Sequence, residues 1–133
     1  MPKTKLVFYQ DENGYTPVIE WLRELKFESK KAFSKCMVRL NRLAEAGHEL
    51  RRPECDFLRD DILELRSRVG RVNYRVLYAF NGQGIVIIAH GCTKEGEVPN
   101  VDINLAIKRQ KAFKLNPAKH TYTEDFYEKN KNI

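Results

Sequence analysis

Ile62, Glu64, Arg66 and Arg68 alternate with Leu63, Leu65 and Val69. A period of two is that of a β-strand, and it gathers the charged side chains on one face. Arg75 follows near the start of the next apolar stretch, with Asn73 or Tyr74 opening it, so two paired strands would present a concave cationic surface. Guanidinium is planar, stays charged and binds through two parallel N–H groups, which suits phosphate. The plain alternative is an exposed face whose charge is neutralised by Glu64 or by a partner's acids. Other reactive side chains do not gather. His48, His90 and His120 lie far apart, Cys36, Cys55 and Cys92 include no CxxC, and no P-loop, HExxH or GxSxG is present. Neither cofactor nor metal is called for. Adjacent Asp60 and Asp61 would point to opposite faces of a strand and read as turn chemistry.

The elements that must position this face follow from spacing. Lys5 to Gln10 is a short strand rich in β-branched and aromatic residues, broken by Asp11-Glu12-Asn13-Gly14. Thr16-Pro17 sets a capping hydroxyl before a first-turn proline, and Val18, Ile19, Leu22 and Leu25 continue at helical spacing. A second helix runs from about Ser29 to Ala46 on the spacing of Phe33, Cys36, Met37, Leu40, Leu43 and Ala44, and Gly47 ends it. Arg51 to Asp61 reads as a link interrupted by Pro53. Strands follow at 62–69, 72–80 and 85–90, joined by Gly70 and by Asn81-Gly82-Gln83-Gly84. A loop from Gly91 to Pro99 leads to a third helix with Ile103, Ala106, Ile107 and Gln110 on one face. The order predicts an α+β fold: an N-terminal strand, a helix hairpin on one face of a small, mainly antiparallel sheet, and a C-terminal helix. Residues 1–112 form the domain, and 113–133 a polar tail that is appended or partly disordered.

With 133 residues the chain is long enough for one core without staples. Its 42% hydrophobic content argues against disorder, and a mean hydropathy of −0.57 against a membrane protein. The start, Met-Pro-Lys-Thr-Lys, lacks the apolar stretch of a signal peptide, so a cytoplasmic location is expected. The formal charge is +6. Residues 28–52 hold seven cations against three carboxylates, and residues 108–133 the same. Such a surplus favours an anionic partner, either nucleic acid or an acidic protein.

Leu63-Glu64-Leu65-Arg66, Tyr74-Arg75-Val76-Leu77-Tyr78, Ile87 to Lys94, and then Pro99, Ile103, Ala106 and Arg109 stand in an order that resembles the RelE/HigB toxin superfamily, particularly its phage-derived HigB-like branch. The resemblance covers about residues 5 to 112. It implies a RelE/ParE-like, microbial-ribonuclease-like fold and the toxin of a two-gene toxin-antitoxin pair. It further implies ribosome-dependent cleavage of messenger RNA by attack of the ribose 2′-hydroxyl, which needs no metal. On this resemblance the catalytic candidates are Arg66, Arg75, Lys94 in the loop, and His90 as a base. RNA binding falls to Arg68, Arg71, Lys108 and Arg109. Glu95 stands where relatives carry a second cation. The implied partners are a cognate helix-turn-helix antitoxin, messenger RNA on the ribosome and, through the antitoxin alone, operator DNA, with no membrane. Two other outcomes share the fold: a ParE-like inhibitor of DNA gyrase, and a non-catalytic relative that binds its antitoxin in operator autoregulation.

Overall fold

Alternating and helical periodicities in the sequence become ten short elements in a computed structural model that describes residues 4–131. They are β1 (Lys5–Phe8), α1 (Pro17–Glu28), α2 (Lys30–Ala46), a 3-10 turn (Gly47–Glu49), β2 (Cys55–Arg59), β3 (Ile62–Val69), β4 (Val72–Phe80), β5 (Ile85–Lys94), α3 (Asn100–Leu115) and α4 (Phe126–Asn130). Ser29 both ends α1 and caps α2, its hydroxyl accepting from Ala32 N at 3.2 Å. The Thr16 hydroxyl does not cap α1; it is buried and lies 3.4 Å from Gln10 Oε1.

The strands form one sheet in the order β1-β5-β4-β3-β2, parallel between β1 and β5 and antiparallel elsewhere. The α1–α2 hairpin covers one face. Leu22, Phe33, Met37, Leu40 and Leu43 pack there on Leu65, Val76, Tyr78, Val86 and Ile88 in one core. Each fully buried side chain of this size contributes about 1.5–3 kcal/mol. The second face is divided. Over the start of β3, the end of β4 and the first half of β5, α3 lays Ile103, Ala106 and Phe113 on Ile62, Leu77, Ala79, Ala89 and Ile87. At the other end of these strands no helix among the described residues covers the face, and the charged side chains collect there.

Four features depart from the sequence reading. The stretch read as a link contains β2, a short edge strand paired with β3 through a two-residue turn. Asp60 and Asp61 make that turn with φ of 52° and 68°, so the acidic pair is turn chemistry as expected. Strand β5 continues four residues beyond His90, which moves Lys94 from a loop into the sheet. The third departure is the polar tail, which is seated on the core. Tyr122 N donates to Phe8 O at 3.0 Å, Phe126 meets Phe33 edge-on, and Lys26 Nζ donates to Asn130 Oδ1 at 2.7 Å. Finally, Glu64 and Arg75 on the charged face are buried.

Candidate active site

The two-residue turn Gly70-Arg71 fixes the register of β3 against β4. Arg66 lies opposite Arg75, Arg68 opposite Asn73 and Glu64 opposite Leu77. Across β4, Arg75 faces Cys92, Asn73 faces Lys94 and Leu77 faces His90. The charged patch is therefore three strands wide. Its middle row is Arg66, Arg75 and Cys92; Arg68, Asn73 and Lys94 lie on one side, and Glu64, Leu77 and His90 on the other.

A β-bulge decides which β5 residues join it. Pairing shifts between Leu77 and Tyr78, so Ala89 is the extra residue. Before the bulge Val86 and Ile88 enter the helix-hairpin core; after it Gly91 and Thr93 take that side. Trp21 Nε1 donates to Thr93 Oγ1 at 3.2 Å. A Cβ on Gly91 would stand 2.5 Å from the Trp21 ring, so only glycine lets α1 approach there. His90, Cys92 and Lys94 are thereby turned to the charged face.

Glu64 and Arg75 form its centre, each side chain 5% exposed, with Arg75 Nε 3.1 Å from Glu64 Oε2. The contact is ionic and lacks hydrogen-bond alignment. Arg75 Nη1 also donates to Gly96 O at 2.5 Å, so the 95–99 loop folds over this guanidinium. Burial pushes the Glu64 carboxyl above its ordinary range, against the opposing pull of Arg75 and Arg66. The expected open cationic face is thus partly self-neutralised, for a desolvated guanidinium keeps a carboxylate. Arg66 differs: its side chain is 42% exposed, and its Nε is 3.9 Å from Glu64 Oε1. Arg68, Arg71 and Lys94 are exposed.

His90 is held from two sides. Arg109 Nη1 donates to His90 Nδ1 at 3.0 Å and to Ala89 O at 2.9 Å. Since Arg109 can only donate, Nε2 carries the imidazole proton and donates to Asp102 Oδ1 at 2.6 Å. Burial lowers the His90 pKa, more than the Asp102 hydrogen bond raises it. Both ring nitrogens are engaged and the ring is neutral at pH 7. Cys92 is buried nearby, its thiol pushed up to about 11 by burial. Lys108 lines a separate depression with Tyr9 and His120, so the structure does not bring it to the patch. Arg109 faces inward, towards His90.

Sequence reasoning gave Glu64 only a neutralising part and did not single out Asp102. Glu64 could have been found from the strand alternation that collected Arg66 and Arg68. Asp102 carries no local signal, because its pairing with His90 depends on how α3 returns across the sheet. Among the described residues, no group of three or more His, Cys, Asp or Glu side chains is placed to hold a metal ion. Among the described residues no helix is long and apolar enough to cross a membrane.

Comparison with curated proteins finds none that matches the chain. A family model does match: that of the phage derived protein Gp49-like family, over residues 20–111. The match runs from the first turn of α1 almost to the end of α3 and so takes in every residue of the charged patch. The chain belongs to this Gp49-like, toxin-like family of phage-derived proteins.

Proposed function

We propose that the chain is the toxin of a type II toxin-antitoxin pair, in the HigB-like branch, and that it cuts messenger RNA on the ribosome until a helix-turn-helix antitoxin holds it inactive. Support comes from one juxtaposition: Arg66 and Arg75 directly opposed on neighbouring strands, with the Glu64 carboxylate against both. In this reading Glu64 takes the proton of the ribose 2′-hydroxyl as that oxygen attacks the adjacent phosphorus. A carboxyl with a raised pKa is a better proton acceptor than an ordinary one. Arg66 and Arg75 hold the charge of the phosphorane, a phosphate oxygen replacing Gly96 O on Arg75. The bond from phosphorus to the 5′-oxygen breaks, and the Lys94 ammonium protonates the leaving oxygen. Products are a 2′,3′-cyclic phosphate and a 5′-hydroxyl. His90, with no free ring nitrogen, serves by tying β5 to α3.

A second reading, the non-catalytic antitoxin-binding relative, draws on the internal pairing of Arg75. Expressing the chain alone separates them. Cleavage predicts growth arrest with new 5′-hydroxyl ends in translated messages, both relieved by Arg75→Ala and by Glu64→Gln. Arrest with intact messages and trapped gyrase would move the assignment to a ParE-like inhibitor. Normal growth would favour the binding-only relative.

A further inference from the structure

Strand β2 covers the outer edge of β3 as far as Leu65 and Glu54 O takes the Arg66 N–H at 3.4 Å, so the open sheet edge begins at the Arg66 carbonyl and runs to Val69. The Val69–Val72 closing pair directs the backbone groups of Arg66 and Arg68 outward, away from β4. Helix α2 runs alongside and caps the outward carbonyls with cations. Arg39 Nε donates to Arg66 O at 3.2 Å, and Lys35 Nζ to Arg68 O at 2.8 Å. Two spacings make both caps possible at once. Residues four apart on a helix rise about 6 Å. Residues two apart on an antiparallel strand are about 6.8 Å apart. Lys35 and Arg39 are the first kind of pair, Arg66 and Arg68 the second.

Capped in this way, the edge is closed to another β-strand, since lysine and arginine occupy the acceptors that strand addition would need. The same caps hold two cations in place at the separation of successive phosphates in an extended single strand. Lys35 keeps two of its three N–H donors, and the side chains of Arg66 and Arg68 continue the positive surface onto the charged face. Ser34, Ser67 and the exposed Val38 complete the groove. Nearby Glu54 pairs with Arg42 and also touches Arg39, at 3.4 Å, so it fixes the arginines' position without reaching Lys35.

We propose that the groove between α2 and the open edge of β3 binds the phosphodiester backbone of single-stranded RNA, with Lys35 and Arg39 each taking one phosphate and leading the strand over Arg68 and Arg66. This rests on the ribonuclease reading and deepens it, by giving the substrate an entry path across the sheet edge. Affinity here is electrostatic and indifferent to base sequence.

The test uses the full chain and a short, fluorescently labelled 2′-O-methyl RNA, which cannot be cut at its 2′-position. Anisotropy is followed from low to moderate salt. Each phosphate contact to a single strand contributes about 0.7 to the slope of log affinity against log salt. Lys35→Ala and Arg39→Ala should each lower the slope by about 0.7 and weaken binding several-fold at low salt, while Lys35→Arg and Arg39→Lys keep both. Lys111→Ala, on α3, should leave the slope unchanged. No binding by the wild-type chain at low salt, or unchanged slopes in folded Lys35→Ala and Arg39→Ala, would overturn the proposal. So would loss of antitoxin binding in these variants with RNA binding intact. A natural RNA strand on translating ribosomes separates the two claims: binding with normal slopes but no cleavage sinks the nuclease reading alone, and cleavage with unchanged slopes sinks the groove alone.

Discussion

Arg75 and Arg66 face each other across two strands, yet one is 5% exposed and the other 42%. Their surroundings, not their chemistry, set what each can do. Around Arg75, a loop above and Glu64 beside it create a place where an unpaired charge is costly. Around Arg66, water screens the same charge and leaves it open to a ligand. The sheet face thus has an enclosed end and an open end, and position across three strands decides to which a cation belongs.

The contrast is broken most readily at Arg75. Arg75→Ala should cost about 3–5 kcal/mol in urea unfolding, because it leaves the Glu64 carboxylate buried and uncompensated. The double variant Glu64→Leu, Arg75→Met should recover most of that; if it does not, the pair is not what the site's stability depends on. Gly91→Ala, behind the patch, should cost about 1–3 kcal/mol by driving a methyl into Trp21. A shortened Trp21→Leu side chain in the same background should relieve it.

Acid should sharpen the difference between His90 and Glu64, since burial shifts them in ways that act oppositely on stability. His90 is lowered in the folded chain, so the unfolded chain binds protons first. Stability should fall as pH drops below the ordinary histidine value of 6.5, and His90→Gln should remove that loss. Glu64 is raised, so the folded chain binds its proton first. It should return some stability as pH falls through its raised value towards the ordinary 4.5. Melting temperature against pH, in wild type and in Glu64→Gln, separates the two. Arg66→Ala marks the small end of the scale, with a stability change within about 0.5 kcal/mol. A larger loss would mean that Arg66 belongs to the enclosed end.

Periodicity and composition were enough to locate the three long helices and four of the five strands, since each buries a face that its own spacing declares. β2 escaped because Cys55–Arg59 is five residues long, lies at an edge and carries a register shift at Phe57/Arg59. The tail escaped for another reason. Tyr127 reaches Asn41, and His120 stacks on Tyr9, so its order depends on partners more than eighty residues away. At the site, alternation along β3 gathered Arg66, Arg68 and Glu64 correctly. It could not say that Arg75 would be covered, because that depends on where the 95–99 loop comes to rest.

The extra residue at Ala89 acts as a phase shift within a single strand. Upstream, β5 keeps Val86 and Ile88 in time with the helix hairpin; downstream, the count restarts and delivers His90, Cys92 and Lys94 to the opposite face. Substitutions can therefore change the composition of the charged face without disturbing the rhythm of the core, and the core without disturbing the charged face. Removing that one residue would exchange the two sides of the strand's last five positions, burying a lysine under α1 and presenting glycine and threonine on the charged face.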